Sequence, residues 1–532
     1  MNLRVSTFVC FLLLVSAGVV SAQDTASGKA ARAEFARGRA AMKNPGFVEA
    51  IAAFRKAVEL DPGYVEAHQQ FIFTSMRARK PEEQPAVRQE LLQLYQGWAE
   101  KHPDNAVLQW MLGDLCGKEK GKAEKYYLRA VSLNAKLPEV HMALSLIEET
   151  RGENARRLAY LKQAADSAPE DASYLFYYSN ALHDSDWGQY RRLTDELLNR
   201  FPQHERSAQA LYWLAFHLDD IQEKRAILER LRRDFPPAKS SWSRSGMEDL
   251  FDLYAEQAPA QALALAEELT SYDKENQTWA ARLSFQRSVL TARSLIAERK
   301  FTEAATLLKG VALPRYTNGK GLHLTLAEAL DAGGEPSQAF ESLARVVAKE
   351  PTDALIKALN HYGEKSGRTA AQIDAELRRL RDEQASPFKE FTLAGYRTEA
   401  EKISLADYRG KVVLVDFWYP TCGPCRGESP NLQKALAKYG PQGFVILAIN
   451  LEPDEDEMVL PYLQNNRYGF LPLKSNWDWA RETYGVRGAP TNFLIDRDGR
   501  MVFKPGVVRS AAVYRTFELQ IEALLARPAS AK

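Results

Sequence analysis

The sequence is poor in the residues that build metal sites and disulfide frameworks. Its 532 residues include only four cysteines and eight histidines. The histidines are scattered singly and none follows His361, so their spacing suggests no set of metal ligands. Loss of Cys10 with an N-terminal signal would leave an odd number of cysteines, which argues against a domain held together by paired disulfides. We therefore expect no metal and no other cofactor.

Neither sign of charge predominates in this chain. Its 70 lysines and arginines face 69 aspartates and glutamates, which gives a formal net charge of +1. Nucleic acids and anionic membranes attract proteins through an excess of basic residues, so we predict neither as a partner. The hydrophobic share of 45% is that of an ordinary folded domain.

Only the first segment of the chain is apolar over a long run. Arg4 precedes an almost continuous apolar stretch over 5–20, and the small residues of Val20-Ser21-Ala22 follow. This layout predicts a signal peptide over 1–22 and export to the periplasm or another extracytoplasmic space. An uncleaved membrane anchor is the alternative, because the stretch approaches the about 20 residues needed to span a bilayer.

The region 26–385 has the pattern of helices separated by short breaks. A series of its prolines recurs at intervals of 31 to 41 residues, near the 34-residue period of tetratricopeptide repeats: Pro62, Pro103, Pro138, Pro169, Pro202 and Pro236. The small, bulky, small and proline spacing of a repeat's second helix occurs twice, at Ala50, Phe54, Ala57 and Pro62, and at Ala339, Leu343, Val346 and Pro351. The region resembles the tetratricopeptide-repeat family. The resemblance implies an all-α solenoid that binds a protein or peptide ligand.

Two features of this region have competing interpretations. The aromatic residues of the stretch 174–178 could line a ligand-binding face, but core packing between paired helices is the simpler explanation and the one we favour. Cys116 could form a mixed disulfide with a partner, but we expect a small buried apolar residue.

From residue 386 the pattern changes to apolar strands that alternate with helices, which is typical of an α/β domain. We expect strands over 412–418, 444–449, 491–496 and 500–504, the last two joined as a hairpin, and helices over 431–439, 455–465, 477–484 and 511–525.

Two of the four cysteines, Cys422 and Cys425, follow the first predicted strand at the start of a helix. The helix dipole and free backbone N–H groups at that position favour a thiolate on an exposed first sulfur. Cys422 would then attack a partner disulfide, and Cys425, one turn further along, would resolve the mixed disulfide. Half of a zinc site is the alternative, but no further cysteine and no histidine follow to complete it.

Pro490 lies at the start of the predicted strand 491–496. A trans proline that begins a strand is the simpler interpretation of the residue taken alone. A cis peptide bond facing the cysteines would leave the preceding backbone free to pair with an extended substrate.

Three motifs in order resemble the exported TlpA/ResA-like thiol–disulfide oxidoreductases of the thioredoxin fold. They are the lead-in Ser404–Lys411 with the strand end Val415-Asp416-Phe417-Trp418, the segment Cys422-Gly423-Pro424-Cys425 with Arg426, Glu428 and Pro430, and the segment Gly488–Asp496. The resemblance covers about a quarter of the chain.

The resemblance assigns roles to residues around the cysteines. It implies that Asp416 is a buried carboxyl whose pKa is raised by desolvation and which accepts the proton of Cys425. It also implies a cis Pro490, a kink at Pro430 and a Trp418 that packs beside the cysteines. Gly423, Pro424 and Glu428 would support the site.

The sequence also departs from that family. Thr421 stands before the first cysteine, where tryptophan is common, and no lysine follows the second strand to pair with Asp416. The acidic run 452–457 could influence which partners dock, but we expect a solvated face.

Together these features predict a multidomain protein, in which a signal peptide (1–22) and an all-α tetratricopeptide-like solenoid (26–385) precede an α/β thioredoxin-like domain (386–532). We expect an enzyme that exchanges a dithiol with protein substrates. The Gly-Pro pair between the cysteines resembles thioredoxin and favours reduction. A membrane partner would supply electrons, and oxidase or isomerase activity stays open.

Two other functions are the alternatives, although the residue spacing does not fit the first. One is a thiol peroxidase of the same fold. Such enzymes place a threonine three residues before the reactive cysteine, where this chain has Tyr419 or Cys422. The other is a repeat-protein scaffold with an accessory redox domain.

Overall fold

The computed structural model describes residues 26–42, 47–117, 119–183, 185–272, 277–314, 317, 319–398 and 400–527. The predicted signal peptide over 1–22 lies outside these residues. In the part of the chain that is described, no helix combines the length and apolar character needed to cross a membrane.

The described residues up to 384 form α-helices joined by short loops, which confirms the predicted all-α region. The helices are α1 Ala26–Ala41, α2 Val48–Leu60, α3 Val65–Arg77, α4 Gln84–Lys101, α5 Ala106–Leu115, α6 Lys120–Leu133, α7 Pro138–Arg151, α8 Asn154–Ser167, α9 Ala172–Asn180, α10 Trp187–Arg200, α11 Glu205–His217, α12 Ile221–Asp234, α13 Ser241–Gln257, α14 Pro259–Tyr272, α15 Gln277–Ala297, α16 Phe301–Lys309, α17 Lys320–Ala332, α18 Pro336–Val347, α19 Asp353–Lys365 and α20 Ala370–Gln384.

The chain divides into two compact units. The first unit comprises the described residues up to Glu149 together with Glu153–Leu193. The second unit comprises Thr150–Gly152 and the described residues from Thr194 onward. The helices of each unit share an apolar core, in the first from Ala41 to Ile147 and in the second from Leu198 to Leu377.

Helix pairs within these cores pack at small residues, as a repeat array requires. Gly38 of α1 lies against the ring of Phe54 on α2, where an added Cβ would come within 2.6 Å of the ring. Ala50 and Ala57 on the same face of α2 are fully buried. The spacing that predicted paired helices therefore corresponds to a real contact. Assignment to the tetratricopeptide family stays a prediction.

The two features with competing interpretations both lie in the first unit. Tyr174 and Phe176 are buried in the structure, which supports the core interpretation for these two rings. Cys116 is also buried, at 7% exposure, as expected of a small apolar residue.

The α/β domain follows directly after α20. Its strands are β1 Ser386–Pro387, β2 Thr392–Ala394, β3 Lys402–Ser404, β4 Val412–Trp418, β5 Phe444–Asn450, β6 Leu471–Lys474, β7 Thr491–Ile495 and β8 Arg500–Phe503. Its helices are α21 Gly423–Tyr439, α22 Asp456–Asn465, α23 Trp477–Tyr484 and α24 Ala511–Leu525.

Six of these strands form one mixed sheet in the order β1-β8-β7-β4-β5-β6, and β2 pairs with β3 apart from it. The central strand β4 runs parallel to β5 and antiparallel to β7. Because successive side chains of a strand point to opposite faces, Leu414 and Trp418 pack into one core while Val413 and Phe417 pack into the other. This arrangement confirms the thioredoxin-like α/β fold.

Candidate active site

Strand β4 brings the site together because it is buried along its whole length and ends at the cysteines. Asp416 has the strand parity of Leu414 and Trp418, so its carboxyl points to the face of the sheet that α21 covers. The turn from Tyr419 to Thr421 then leads into α21, and the amide of Cys422 donates to the Tyr419 carbonyl at 3.0 Å.

The two cysteines occupy the first turn of α21. Cys422 is the N-cap, Gly423 and Pro424 are the first helical residues, and the amide of Cys425 donates to Sγ of Cys422 at 3.2 Å. The sulfurs are joined in a disulfide with the Cα atoms 5.3 Å apart. A ring of this size can open and close without rebuilding the helix, because both residues belong to one turn.

The expectation of an exposed first sulfur was wrong. Cys422 and Cys425 are each only 2% exposed. Both belong to one apolar cluster with the buried Trp418, and the half-buried Tyr419 and Ala489 pack against that cluster. The sequence places Cys422 at a helix N-terminus, but exposure there depends on side chains brought in from other elements.

Two buried carboxyls lie behind the disulfide. Asp416 of β4 is 4% exposed and Glu428 of α21 is fully buried. Burial raises the pKa of Asp416 well above its ordinary value, and the neighbouring Glu428 carboxyl adds to that rise. Burial also raises the pKa of Glu428, to about 7, although its hydrogen bonds and the charge of Arg509 act in the opposite direction. Desolvation therefore makes Glu428 able to take up or release a proton near neutral pH, and it favours the protonated form of Asp416.

The contacts of the two acids differ. Glu428 accepts hydrogen bonds from the Val508 amide at 2.8 Å and from Nδ2 of Asn492, which lies 3.2 Å from both carboxyl oxygens. Asn492 is paired with Asp416 across β4 and β7, so it connects the two acids. Oδ1 of Asp416 has no hydrogen-bond partner among the described residues. Asp416 is therefore the less restrained of the two carboxyls.

Sequence reasoning missed Asn492 and Arg509. An amide side chain inside the otherwise apolar strand β7, directly after the Pro490-Thr491 motif, was a signal that could have been used. No pattern pointed to Arg509, which lies in the loop between β8 and α24.

The remaining predicted residues surround this centre. The Ala489–Pro490 peptide bond is cis, and Oγ1 of Thr491 donates to the Gly488 carbonyl at 2.7 Å. Pro430 lies inside α21. Trp418 is buried in the cluster of the cysteines, and its ring centroid lies 5.6 Å from that of Tyr462.

The acidic run 452–457 is not simply a solvated face. Glu455 accepts hydrogen bonds from both the amide and Oγ1 of Thr421, at 2.9 and 2.5 Å. Glu452 accepts from Nε1 of Trp477 at 3.0 Å, and Asp456 accepts from Nδ2 of Asn450 at 2.9 Å. Three of its acids thus hold the loops beside the disulfide, and one of them fixes the residue directly before Cys422.

Known proteins resemble this C-terminal part of the chain. Residues 385–504 match the AhpC/TSA family. The Thiol-disulfide oxidoreductase ResA of Bacillus thuringiensis (strain Al Hakam) is 38% identical over 107 residues, which are 20% of this chain and 60% of the relative. The protein of the same name from Geobacillus thermodenitrificans (strain NG80-2) is 36% identical over 104 residues, 19% of this chain and 59% of the relative. The chain thus spans about 60% of the length of these curated relatives.

A solved structure is similar over the same part. A putative Thiol:disulfide interchange protein DsbE from Chlorobium tepidum is 32% identical, and the match covers 27% of this chain and 97% of that chain with a TM-score of 0.24.

Proposed function

We propose that this chain is a thiol–disulfide oxidoreductase acting on protein substrates, since its residues 385–504 match the AhpC/TSA family. The observation that carries the proposal is the disulfide between Cys422 and Cys425 at the N-terminus of α21, with the carboxyls of Asp416 and Glu428 buried behind it. The disulfide can take up two electrons, and the two buried carboxyls can accept protons at the same site.

In the reducing direction the Cys422 thiolate attacks one sulfur of a partner disulfide. A bond forms between Cys422 and that sulfur, and the other partner sulfur leaves as a thiolate. Asp416 takes the proton of Cys425, assisted by Glu428, and the Cys425 thiolate then attacks Cys422. The second partner sulfur is released, the Cys422–Cys425 disulfide forms, and two electrons have passed to the partner.

The other parts of the proposal concern the setting of this reaction. We place the protein outside the cytoplasm because of its predicted signal over 1–22, and we assign it a reducing role because of its Gly-Pro pair. A membrane dithiol donor would return the electrons. The helical region up to Gln384 would bind the protein partner, since arrays of paired helices offer extended surfaces for that purpose.

The test uses the full chain with insulin as a model disulfide. Wild type is expected to reduce insulin with a dithiol donor, Cys422→Ser to be inactive, and Cys425→Ser to accumulate mixed disulfides. Cys116→Ser is the matched control, because this thiol lies in the first unit, and it is expected to keep wild-type turnover. Wild-type turnover by Cys422→Ser would falsify the proposal.

The same preparations separate the two alternatives. A peroxidase would consume hydrogen peroxide with the same donor faster than it reduces insulin. A scaffold would retain its partner in the Cys422→Ser/Cys425→Ser variant and show neither activity.

A further inference from the structure

Arg509 joins the helical part of the second unit to the α/β domain. Its guanidinium carbon lies 5.3 Å from the ring centroid of Trp213 and 5.1 Å from that of Phe216, both on α11. These rings are three residues apart and therefore on the same face of their helix. A guanidinium at this distance from aromatic rings is held by cation–π attraction.

The other side of the same guanidinium lies against the active-site helix. A Cβ added at Gly427 would come within 2.6 Å of Nε and 2.9 Å of Cζ of Arg509. The guanidinium therefore occupies the place that a side chain at position 427 would fill. Nδ2 of Asn431, one turn further along α21, donates to the carbonyls of Val508 and Arg509 at 3.0 and 3.1 Å. The loop is thus fixed to α21 at two points.

This loop reaches the buried acid pair directly. The amide of Val508, the residue before Arg509, donates to Oε2 of Glu428. The charged and titratable groups facing Glu428 are Asp416 from β4 and Arg509 from the loop, while β7 contributes the neutral Asn492. The positive charge of Arg509 lowers the pKa of Glu428 and so opposes the larger effect of burial. On α11, Tyr212 faces the guanidinium and His217 stacks on Trp213.

We propose that Arg509 is a positioning residue through which the aromatic face of α11 sets the protonation of Glu428 in the redox site. The role rests on the proposed function, because the state of Glu428 matters to exchange only if the cysteines react. A displacement of α11 relative to the α/β domain moves Arg509 and so changes the protonation of Glu428. A partner bound to the helices could alter the pH range of exchange without touching the cysteines.

The test titrates the Glu428 carboxyl in the oxidised full chain by infrared difference spectroscopy, with its band assigned by its loss in Glu428→Gln. Arg509→Met is expected to raise the midpoint by about half a pH unit or more, because the carboxylate loses a nearby positive charge. Arg509→Lys, which keeps the charge, is expected to recover most of that shift. Trp213→Leu and Gly427→Ala, which displace the guanidinium from opposite sides, are expected to raise the midpoint as well.

Arg515→Met is the matched control. Arg515 also joins the two parts, through Asp353 at 2.8 Å, but it faces Glu518 and Glu522 on α24, so its loss is expected to leave the midpoint unchanged. An unmoved midpoint in Arg509→Met overturns the inference. A shift in Arg509→Met with a wild-type midpoint in Trp213→Leu overturns the coupling to α11. Because the titration needs no turnover, failure of insulin reduction in wild type would reject the proposed function and leave this readout interpretable.

Discussion

Asp416 and Glu428 are buried carboxyls whose pKa values are raised, and the proposed function gives them the protons of the site. They come from different elements, yet both face the cluster that contains the disulfide, and Asn492 connects them. Two carboxyls that share a buried space do not both ionise readily, since each charge opposes the other. A charged Glu428 therefore favours the protonated form of Asp416.

At this scale we predict a pH-dependent stability that Glu428→Gln removes. Burial raises the folded-state pKa of Glu428 from 4.5 to about 7, so between these values the folded chain binds more protons than the unfolded chain. The contribution of Glu428 to the free energy of unfolding then falls as pH rises through this window, by about 3 kcal/mol in all. In urea unfolding, the free energy of unfolding of Glu428→Gln relative to wild type should be higher at pH 8 than at pH 4.5 by roughly that amount.

The matched control for this prediction is Glu457→Gln, an exposed acid in the same domain. It is expected to follow the wild-type pH dependence. If the free energy of unfolding fell equally in wild type and Glu428→Gln between pH 4.5 and 8, a raised pKa at Glu428 would be contradicted.

At the scale of elements, the sequence predicted some bounds closely and missed others. Strand β4 and helices α23 and α24 have the predicted ends, because apolar runs and turn residues mark both sides of each. Helix α21 begins at Gly423, as the cysteine motif predicted, whereas the helix range expected from apolar periodicity covered only 431–439. The first turn is stabilised by the cap at Cys422 and not by an apolar periodicity. The short strands β1, β2, β3 and β6 were not predicted. They are two to four residues long and exist through pairing with distant segments, which a single sequence does not reveal.

The same distinction applies to the candidate site. The two cysteines, Asp416 and Pro490 could be predicted because they belong to contiguous motifs. The links from Glu428 to Val508 and from Thr421 to Glu455 could not, because they join residues 80 and 34 positions apart.

We predict that Glu455 stabilises the turn that leads into the cysteines. Its carboxylate accepts hydrogen bonds from the amide and Oγ1 of Thr421, the residue directly before Cys422. Because Glu455→Gln weakens two charge-assisted hydrogen bonds, it is expected to lower the free energy of unfolding by about 1–2 kcal/mol, measured by urea unfolding. Glu457→Gln, two residues further on and exposed, should leave the free energy of unfolding in place. Equal stability of Glu455→Gln and wild type would rule out this role.

At the scale of the whole molecule, the second unit joins α20 to the β7–β8 hairpin through charged groups. Asp496 is buried and accepts from Nη2 of Arg500 at 2.8 Å and from Nη1 of Arg527 at 3.3 Å. Asp382 of α20 contacts the same two arginines from its exposed side. Asp498, which is half-buried, also contacts both arginines, so the helical region and the α/β domain are connected by a network of three acids.

We predict unequal costs for neutralising Asp496 and Asp382. Asp496→Asn removes the buried charge that both arginines contact, while Asp382 and Asp498 stay beside them, and it is expected to lower the free energy of unfolding by about 2 kcal/mol. Asp382→Asn removes an exposed partner and should cost under about 1 kcal/mol. Thermal and urea unfolding of the full chain would measure both, and a larger loss in Asp382→Asn would contradict this ranking.

The burial of Cys422 affects which protein disulfides can reach its sulfur. Because Cys422 is buried in an apolar cluster, a disulfide on a flexible, protruding segment can approach it more easily than one set flush in a rigid surface. Selection would then depend on how freely a client's cystine moves rather than on the residues around it. Partly folded clients, whose cystines move most, would be preferred over finished ones.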